Sequence, residues 1–411
     1  MTLDAIACWA RLKGISLVAT GDFTHPEWLF LMKEKLEPAG NGFLRFKNSI
    51  RPPDLPYLQN FSFSEGDVSF VLSTEISFIY SKGGKVRKVH IMLLAPDLES
   101  VERINVRLQA IGNLNSDGRP ILGWDVRLFT RMVAETCPRC VVIPAHIWTP
   151  WFSLLGANSG FDSIEECFEE MTPFIFAVET GLSSDPPMNW RLSALDRYAL
   201  ISDSDAHSPS KIGREANVFD TDFSYRGLVA ALKNRDPQKF LHTIEFFPQE
   251  GKYHLDGHRK CGIVLTPRES LKNGNICPKC KKSLTIGVLH RIEELADRNP
   301  GEGGEGKIPF RNLIPLNEII AEALGKSADC QPVWDGYFKL VHEFGNELNI
   351  LTDVEPAEIG RFSSDKIALG IERMRRGEVK ILPGYDGEFG RINLFGQEES
   401  GAICSPQLSL F

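Results

Sequence analysis

The run CVVIPAHIWTPW, residues 140–151, decides how the chain reads. Residues 141–145 are apolar and short enough for a buried strand, and the strand ends on His146. Five further runs repeat the arrangement. ISLVAT (15–20) leads into Gly21 and Asp22, and DVSFVLST (67–74) into Glu75. KVRKVHIMLLAP (85–96) carries His90, and FIFAV (174–178) leads into Glu179. YALIS (198–202) leads to Asp203, Asp205 and His207. Between them, stretches 3–11, 26–36, 98–111, 125–136 and 225–233 have helical period, and 240–246 reads as a last strand. This alternation predicts an α/β domain with a mostly parallel sheet, and seven or so strands would close a barrel. In such a barrel the loops at strand ends converge on one face. Histidines and carboxylates meeting there point to metal chemistry.

The chain has 411 residues and a net charge of −8, which alone argues against broad nucleic-acid affinity. Residues 252–291 break that trend. They hold Lys252, Arg259, Lys260, Arg268, Lys272, Lys279, Lys281, Lys282 and Arg291 against only Asp256 and Glu269. A local basic patch inside an acidic protein is the pattern of a phosphate-facing surface. No run approaches the roughly 20 apolar residues needed to span a bilayer. MTLDAIACWARLKG at the start reads as an amphipathic helix and not as a signal peptide, so a cytoplasmic protein with no membrane partner is expected.

The spacing organises the chain into four parts: 1–248, 249–291, 308–396 and 397–411. The second is rich in Cys, His and Lys. The third has helical signals over 316–324, 334–343 and 365–376, then short strands near 379–382 and 391–395. NPGEGGEGK (299–307) fits a glycine-rich phosphate-loop string. It follows a helix, however, and its glutamates would repel phosphate, so it reads as a flexible linker. The polar segment 397–411 reads as a mobile tail.

Nine cysteines in irregular spacing favour free thiols and one metal cluster over a disulfide framework. His258-x2-Cys261 and Cys277-x2-Cys280, fifteen residues apart, predict a closed tetrahedral zinc site. His254 is the alternative to His258. Four protein ligands leave no open position, so this one zinc would be structural and would hold together a module poor in apolar residues. Cys137 and Cys140 have no second pair near them and read as plain thiols.

In the first part, Asp22, Glu75, His90, His146, Asp205 and His207 form the candidate set. Hard cations lying close together repel, and bridging carboxylates with neutral imidazoles offset that repulsion. Two ions clamped on a phosphate stabilise both the attacking and the leaving oxygen. TGD, TEI, the strand histidine, PAH and SDAH, in this order, resemble the polymerase-and-histidinol-phosphatase (PHP) family of metal-dependent phosphoesterases. ATGDFTHPEW, PAHIWTPWFS, ETGLSSDPPMNW and SDSDAHSP narrow the resemblance to the endonuclease Q family within it.

The resemblance implies a distorted seven-stranded PHP-type β/α barrel, a zinc module and an α+β C-terminal domain in contact with DNA. It implies that Asp22, Glu75, His90, His146, Asp205 and His207 bind catalytic divalent metals, with zinc, manganese, magnesium and iron all suited. Glu75 would bridge two ions, and Glu179 and Asp203 would stand behind the ligands or face substrate. His25 has no counterpart. The implied activity is metal-dependent DNA-repair endonuclease action. It cuts the phosphodiester 5′ to uracil, hypoxanthine, xanthine or an abasic site in damaged DNA, leaving a 3′-hydroxyl and a 5′-phosphate.

The family pattern opens with a strand carrying His-x-His, and no histidine precedes His25 here. The reading is of a chain truncated at the N-terminus relative to the family, lacking that strand and two ligands, with weakened metal binding and activity in doubt. Trp148, Trp151, Phe152 and Trp190 lie near the candidate set and suit either an extruded base or core packing. Gln407-Leu408-Ser409-Leu410-Phe411 resembles the peptide by which bacterial proteins dock on the DNA sliding clamp. There Gln407 would hydrogen-bond at the rim of an apolar groove taking Leu408, Leu410 and Phe411. Two other functions fit part of the pattern. One is a PHP phosphatase acting on a small phosphomonoester, which needs neither basic module nor tail. The other is a clamp-docked DNA-binding factor without catalysis.

Overall fold

The computed structural model describes residues 1–53, 56–64, 66–116 and 119–396. Its first elements are α1 (Leu3–Lys13), β1 (Leu17–Ala19), α2 (Pro26–Lys35), β2 (Leu36–Pro38) and β3 (Leu44–Phe46). Next come β4 (Ser69–Lys82), β5 (Lys85–Ala95), α3 (Leu98–Gln109), β6 (Ile121–Leu122), α4 (Val126–Thr136) and β7 (Val141–Pro144). Then follow α5 (Ile164–Phe168), β8 (Ala177–Glu179), α6 (Pro186–Trp190), β9 (Ala199–Ile201), β10 (Ala216–Phe219), α7 (Tyr225–Asn234) and β11 (Phe240–Glu245). Side chains that local chemistry favours set the helix ends. Thr2 and Asp125 accept backbone N–H groups at the starts of α1 and α4, and Gly14 closes α1 in a left-handed conformation.

The sheet is organised by β4 and β5. They pair antiparallel from Leu72↔Ala95 to Lys82↔Lys85. Gly83 and Gly84, at φ 61° and 74°, make the two-residue turn, as a tight hairpin requires. β2–β3, β3–β4 and β5–β7 are antiparallel too, while β1 and β6 run parallel to β4. β8 and β9 form a separate parallel pair. The sheet is therefore mixed, and the sheets do not close into a barrel. The expected mostly parallel, closed barrel is corrected on both counts. A two-residue connection cannot make the long crossover that a parallel neighbour needs, and a glycine pair between two alternating runs selects the hairpin.

Residues 256–295 contribute β12 (Asp256–His258), β13 (Ile263–Leu265), α8 (Pro267–Lys272) and α9 (Val288–Leu295). The stretch 299–307 is anchored where a flexible linker was expected. Lys307 and Arg298 both pair with Asp196, and Gly303 and Gly304 lie against Trp190. β14 (Phe310–Asn312) then pairs parallel with β11, which itself pairs antiparallel with β10. Helices α10 (Leu316–Leu324), α11 (Gln331–Phe344), α12 (Glu347–Thr352), α13 (Pro356–Phe362) and α14 (Asp365–Arg375) follow, then the hairpin β15 (Lys380–Leu382) and β16 (Arg391–Asn393).

One apolar core joins the first and last parts. Trp9 on α1 packs against Trp334, Tyr337 and Phe338 of α11. Lys13 and Glu347 make a buried ion pair beside them. A smaller cluster, including Phe43, Val71, Leu94, Ile143, Ile201 and Phe240, packs among the strands. No helix among the described residues is long and apolar enough to cross a membrane. The tail expected at 397–411, with Gln407, Leu408, Leu410 and Phe411, lies outside the described residues.

Candidate metal centre

The β4–β5 register puts Glu75 and His90 on one face of the hairpin. Glu75 opposes Met92 and Ser77 opposes His90, so the two are diagonal neighbours. β7 pairs with β5 through Ile91↔Pro144, which carries His146, just past the strand end, to the same place. His90 Nδ1 lies 2.9 Å from Glu75 Oε1 and 3.0 Å from His146 Nε2. His146 Nε2 is 3.4 Å from the same carboxylate oxygen. These three side chains offer ligand atoms within 4.8 Å of one another.

The surroundings hold them in place. Glu179 Oε2 accepts the His146 backbone N–H at 2.6 Å, and Thr149 Oγ1 lies 3.2 Å from His146 Nδ1. The Phe152 ring sits 4.9 Å from that of His90. Gly181, at φ 63°, backs His146 so closely that a Cβ there would meet the His146 Cβ at 2.5 Å. Asp22, His146 and Asp205 all hold positive φ, at 45°, 30° and 41°. Each such non-glycine conformation costs about 1–3 kcal/mol and persists only where its surroundings impose it.

Electrostatics make the trio suited to a cation. Burial raises the Glu75 carboxyl, but the close approach of the His146 and His90 imidazoles and the charges of His146 and Arg119 outweigh it and hold the group well below the carboxylate range. Burial lowers His90, favouring the neutral ring that ligates. Glu75 Oε1 is buried and has no hydrogen bond of acceptable geometry, although two imidazole nitrogens approach it. A buried anionic oxygen facing two imidazoles is the donor set of a zinc, manganese or iron site.

The other expected ligands are arranged less closely. Asp22 and Asp205 line the same cavity, of about 840 Å³, as Glu75 and His146. Burial and the Glu75 charge push Asp22 up, against Arg119 and His25. His207 is not brought in: its side chain is 75% exposed and its Nδ1 rests on the Asp205 carbonyl at 2.9 Å. Glu179 is buried, and burial together with Asp203 holds its carboxyl well above the usual range. Burial pushes Asp203 to about 6, and Asn217 donates to it at 3.2 Å.

Arg119 escaped the sequence reading. It stands directly before β6, and nothing in its spacing distinguishes it. Its Nε is 2.9 Å from Glu75 Oε2, its Nη1 3.0 Å from His90 Nδ1 and its Nη2 3.5 Å from Asp205 Oδ1.

Beyond His146, a second cavity of about 220 Å³ is lined by Thr149, Trp151, Ser183, Tyr253 and His254, among others. Trp151 is 45% exposed and meets Tyr253 edge to face at 5.6 Å. Trp148 is fully buried with its N–H on Asn189 and belongs to the core, whereas Trp190 is half-buried and packs on Phe310.

His258, Cys261, Cys277 and Cys280 form the second group of converging donors, and Cys280 Sγ lies 3.7 Å from His258 Nδ1. β12 and β13 present the first two. Burial raises Cys277, but the backbone N–H groups of Cys280 and Lys279 and the neighbouring thiols bring it below its ordinary value. Cys261 is pushed the other way, up to about 11, by burial and the neighbouring thiols. It is by their geometry that three thiols and an imidazole, converging, suit a structural zinc. His254 is elsewhere, buried in the wall of the second cavity with its Nδ1 unpartnered. Lys260, Lys272, Lys279, Lys281 and Lys282 are exposed around the cluster. Arg291 instead ties Leu155, Phe161 and Asp162 to α9. Cys137 and Cys140 are buried in the core.

Comparison with known proteins gives three kinds of match. The family model of the MJ0043 C-terminal domain matches residues 315–378. The MJ0043 protein of Methanocaldococcus jannaschii is 33% identical over 261 residues, which is 62% of this chain and 32% of that protein. The chain thus spans about a third of that relative's length. The crystal structure of the lesion-specific endonuclease PfuEndoQ from Pyrococcus furiosus matches with a TM-score of 0.81 and 29% identity, over 96% of this chain and 90% of that one. Endonuclease Q in complex with a 27-mer duplex substrate bearing an abasic lesion at its active site matches with the same score and identity, over 98% and 94%.

Proposed function

We propose, from the similarity to endonuclease Q over nearly the whole chain, that this protein is a metal-dependent DNA endonuclease acting at damaged nucleotides. The observation that carries the reading is the convergence of Glu75, His90 and His146, with two imidazole nitrogens facing one buried carboxylate oxygen. Asp22 and Asp205 border the same cavity and extend the candidate ligand set. His207 belongs to it by resemblance alone. Divalent ions held there would polarise a phosphoryl oxygen and lower the pKa of a coordinated water. The chain's own residues do the rest: Glu179 and Thr149 aim His146, and Phe152 keeps water off one face of His90. The exposed lysines around the Cys-His cluster hold the duplex by its phosphates. The cut is placed 5′ to a deaminated base or an abasic site, where weak pairing lowers the cost of turning the nucleotide out.

The deciding assay sets uracil-, hypoxanthine- and abasic-containing duplexes beside a small phosphomonoester, with manganese. Incision of a lesion duplex alone is expected. Turnover of the phosphomonoester alone would replace this reading with a phosphatase, and duplex binding without any cleavage with a DNA-binding factor. The terminal Gln407, Leu408, Leu410 and Phe411 are proposed to dock on a bacterial sliding clamp. Deleting 407–411 should abolish clamp binding and leave incision of a short duplex unchanged; retained clamp binding would refute the docking.

A further inference from the structure

Arg119 is held where it is. It precedes β6, whose Ile121 pairs with Ser77, two residues from Glu75 on β4, and the Pro120 carbonyl accepts the Ser77 N–H. The guanidinium thus shares a strand ladder with the carboxylate it touches. Its three nitrogens reach Glu75, His90 and Asp205, which are three of the six candidate ligands. A lone pair of His90 Nδ1 cannot serve a guanidinium and a metal ion together. Arginine is always charged and cannot yield by losing its proton; it can only rotate away. At 27% side-chain exposure it is open to solvent on one side and not locked in packed core. A planar guanidinium released beside a cation site is the group best suited to grip a phosphate with two parallel N–H bonds.

We propose that Arg119 is a displaceable cation in this site. It competes with divalent metal for Glu75, His90 and Asp205, and on displacement it binds a non-bridging oxygen of the scissile phosphate. The inference rests on the nuclease reading above and adds a residue that couples metal loading to phosphate grip.

The test uses the full chain and the variants Arg119→Gln and Arg119→Lys. Manganese binding is followed by electron paramagnetic resonance. Binding of a lesion duplex is followed by anisotropy across salt concentrations, in calcium. Removing a unit positive charge about 3–4 Å from the ligands should tighten manganese binding by ~10-fold or more in Arg119→Gln. The same variant should bind the duplex more weakly, with a salt slope reduced by about 1. Arg119→Lys keeps the charge without the fork. It should hold manganese affinity near the parent value and still lose duplex affinity; it also guards against a folding defect in the glutamine variant. Unchanged or weaker manganese binding in Arg119→Gln, with the parent protein binding the ion, overturns this proposal alone. A parent protein that binds no manganese overturns it together with the metal-dependent reading.

Discussion

Glu75 is the carboxylate on which the candidate site's interactions converge. It lies on a strand, with one oxygen facing two imidazole nitrogens and the other a guanidinium. Glu75→Gln keeps the shape and removes the charge. Manganese binding should weaken at least ~100-fold, read by calorimetry on samples whose fold is checked by circular dichroism. His254 gives a residue-scale effect of another kind. Burial pushes its imidazole down to about 4, so the fold holds the neutral ring. The unfolded chain takes up that proton near pH 6.5 and the folded one only near 4. Stability from this histidine is therefore fully present above about 6.5 and is lost as pH falls toward 4. The loss amounts to roughly 3 kcal/mol at most. In His254→Gln the stability difference between pH 7 and 4.5 should shrink, as urea titrations at the two pH values would reveal. An unchanged difference would count against a buried neutral imidazole.

At the scale of elements, the hairpin of β4 and β5 and the knuckles around β12 and β13 work by different physics. The hairpin is held by its ladder and by apolar side chains on both faces, so it stands without metal. The 256–284 region has few buried apolar side chains, chiefly Cys277 and Leu284, and four converging donors proposed to hold a structural zinc. Zinc removal by a chelator, or Cys277→Ser, should unfold this module ahead of the rest. Two thermal transitions should replace one. Duplex affinity should fall, and manganese binding at Glu75, His90 and His146 should survive. A chelated protein that melts as before would mean the four donors hold no structural ion.

For the whole molecule, the joint between the N-terminal helix and the C-terminal helices matters most. Trp9 lies among Trp334, Tyr337 and Phe338, and Lys13 meets Glu347 out of water. Glu347 also accepts the Tyr337 hydroxyl at 2.7 Å and the Leu316 N–H at 3.0 Å. Truncating the lysine strands a buried carboxylate with two donors still in place. Lys13→Ala should cost about 3 kcal/mol of unfolding free energy, at the low end for a broken buried pair. Denaturant unfolding would measure it. A loss under ~1 kcal/mol would imply that water or a relaxed Glu347 compensates.

The short apolar runs ending on acids and imidazoles were legible in the chain because hydrophobic period and residue type are local properties. So were the helix at 3–13, the strand bearing His90, and the four zinc-type donors, whose spacing alone excludes most alternatives. Pairing partners were not legible. Strand direction depends on which edges meet, and the Gly83-Gly84 turn that sets it was overlooked. Arg119 could not be found, because a side chain arriving from a loop carries no period. The exposed place of His207 was likewise hidden: the backbone turns through a positive φ at Asp205, and the ring of His207, two residues on, lies in solvent. Residue chemistry and local order belong to the sequence. Which donors share a few ångströms of space is decided by the tertiary fold, because segments far apart in the chain are brought together only by packing.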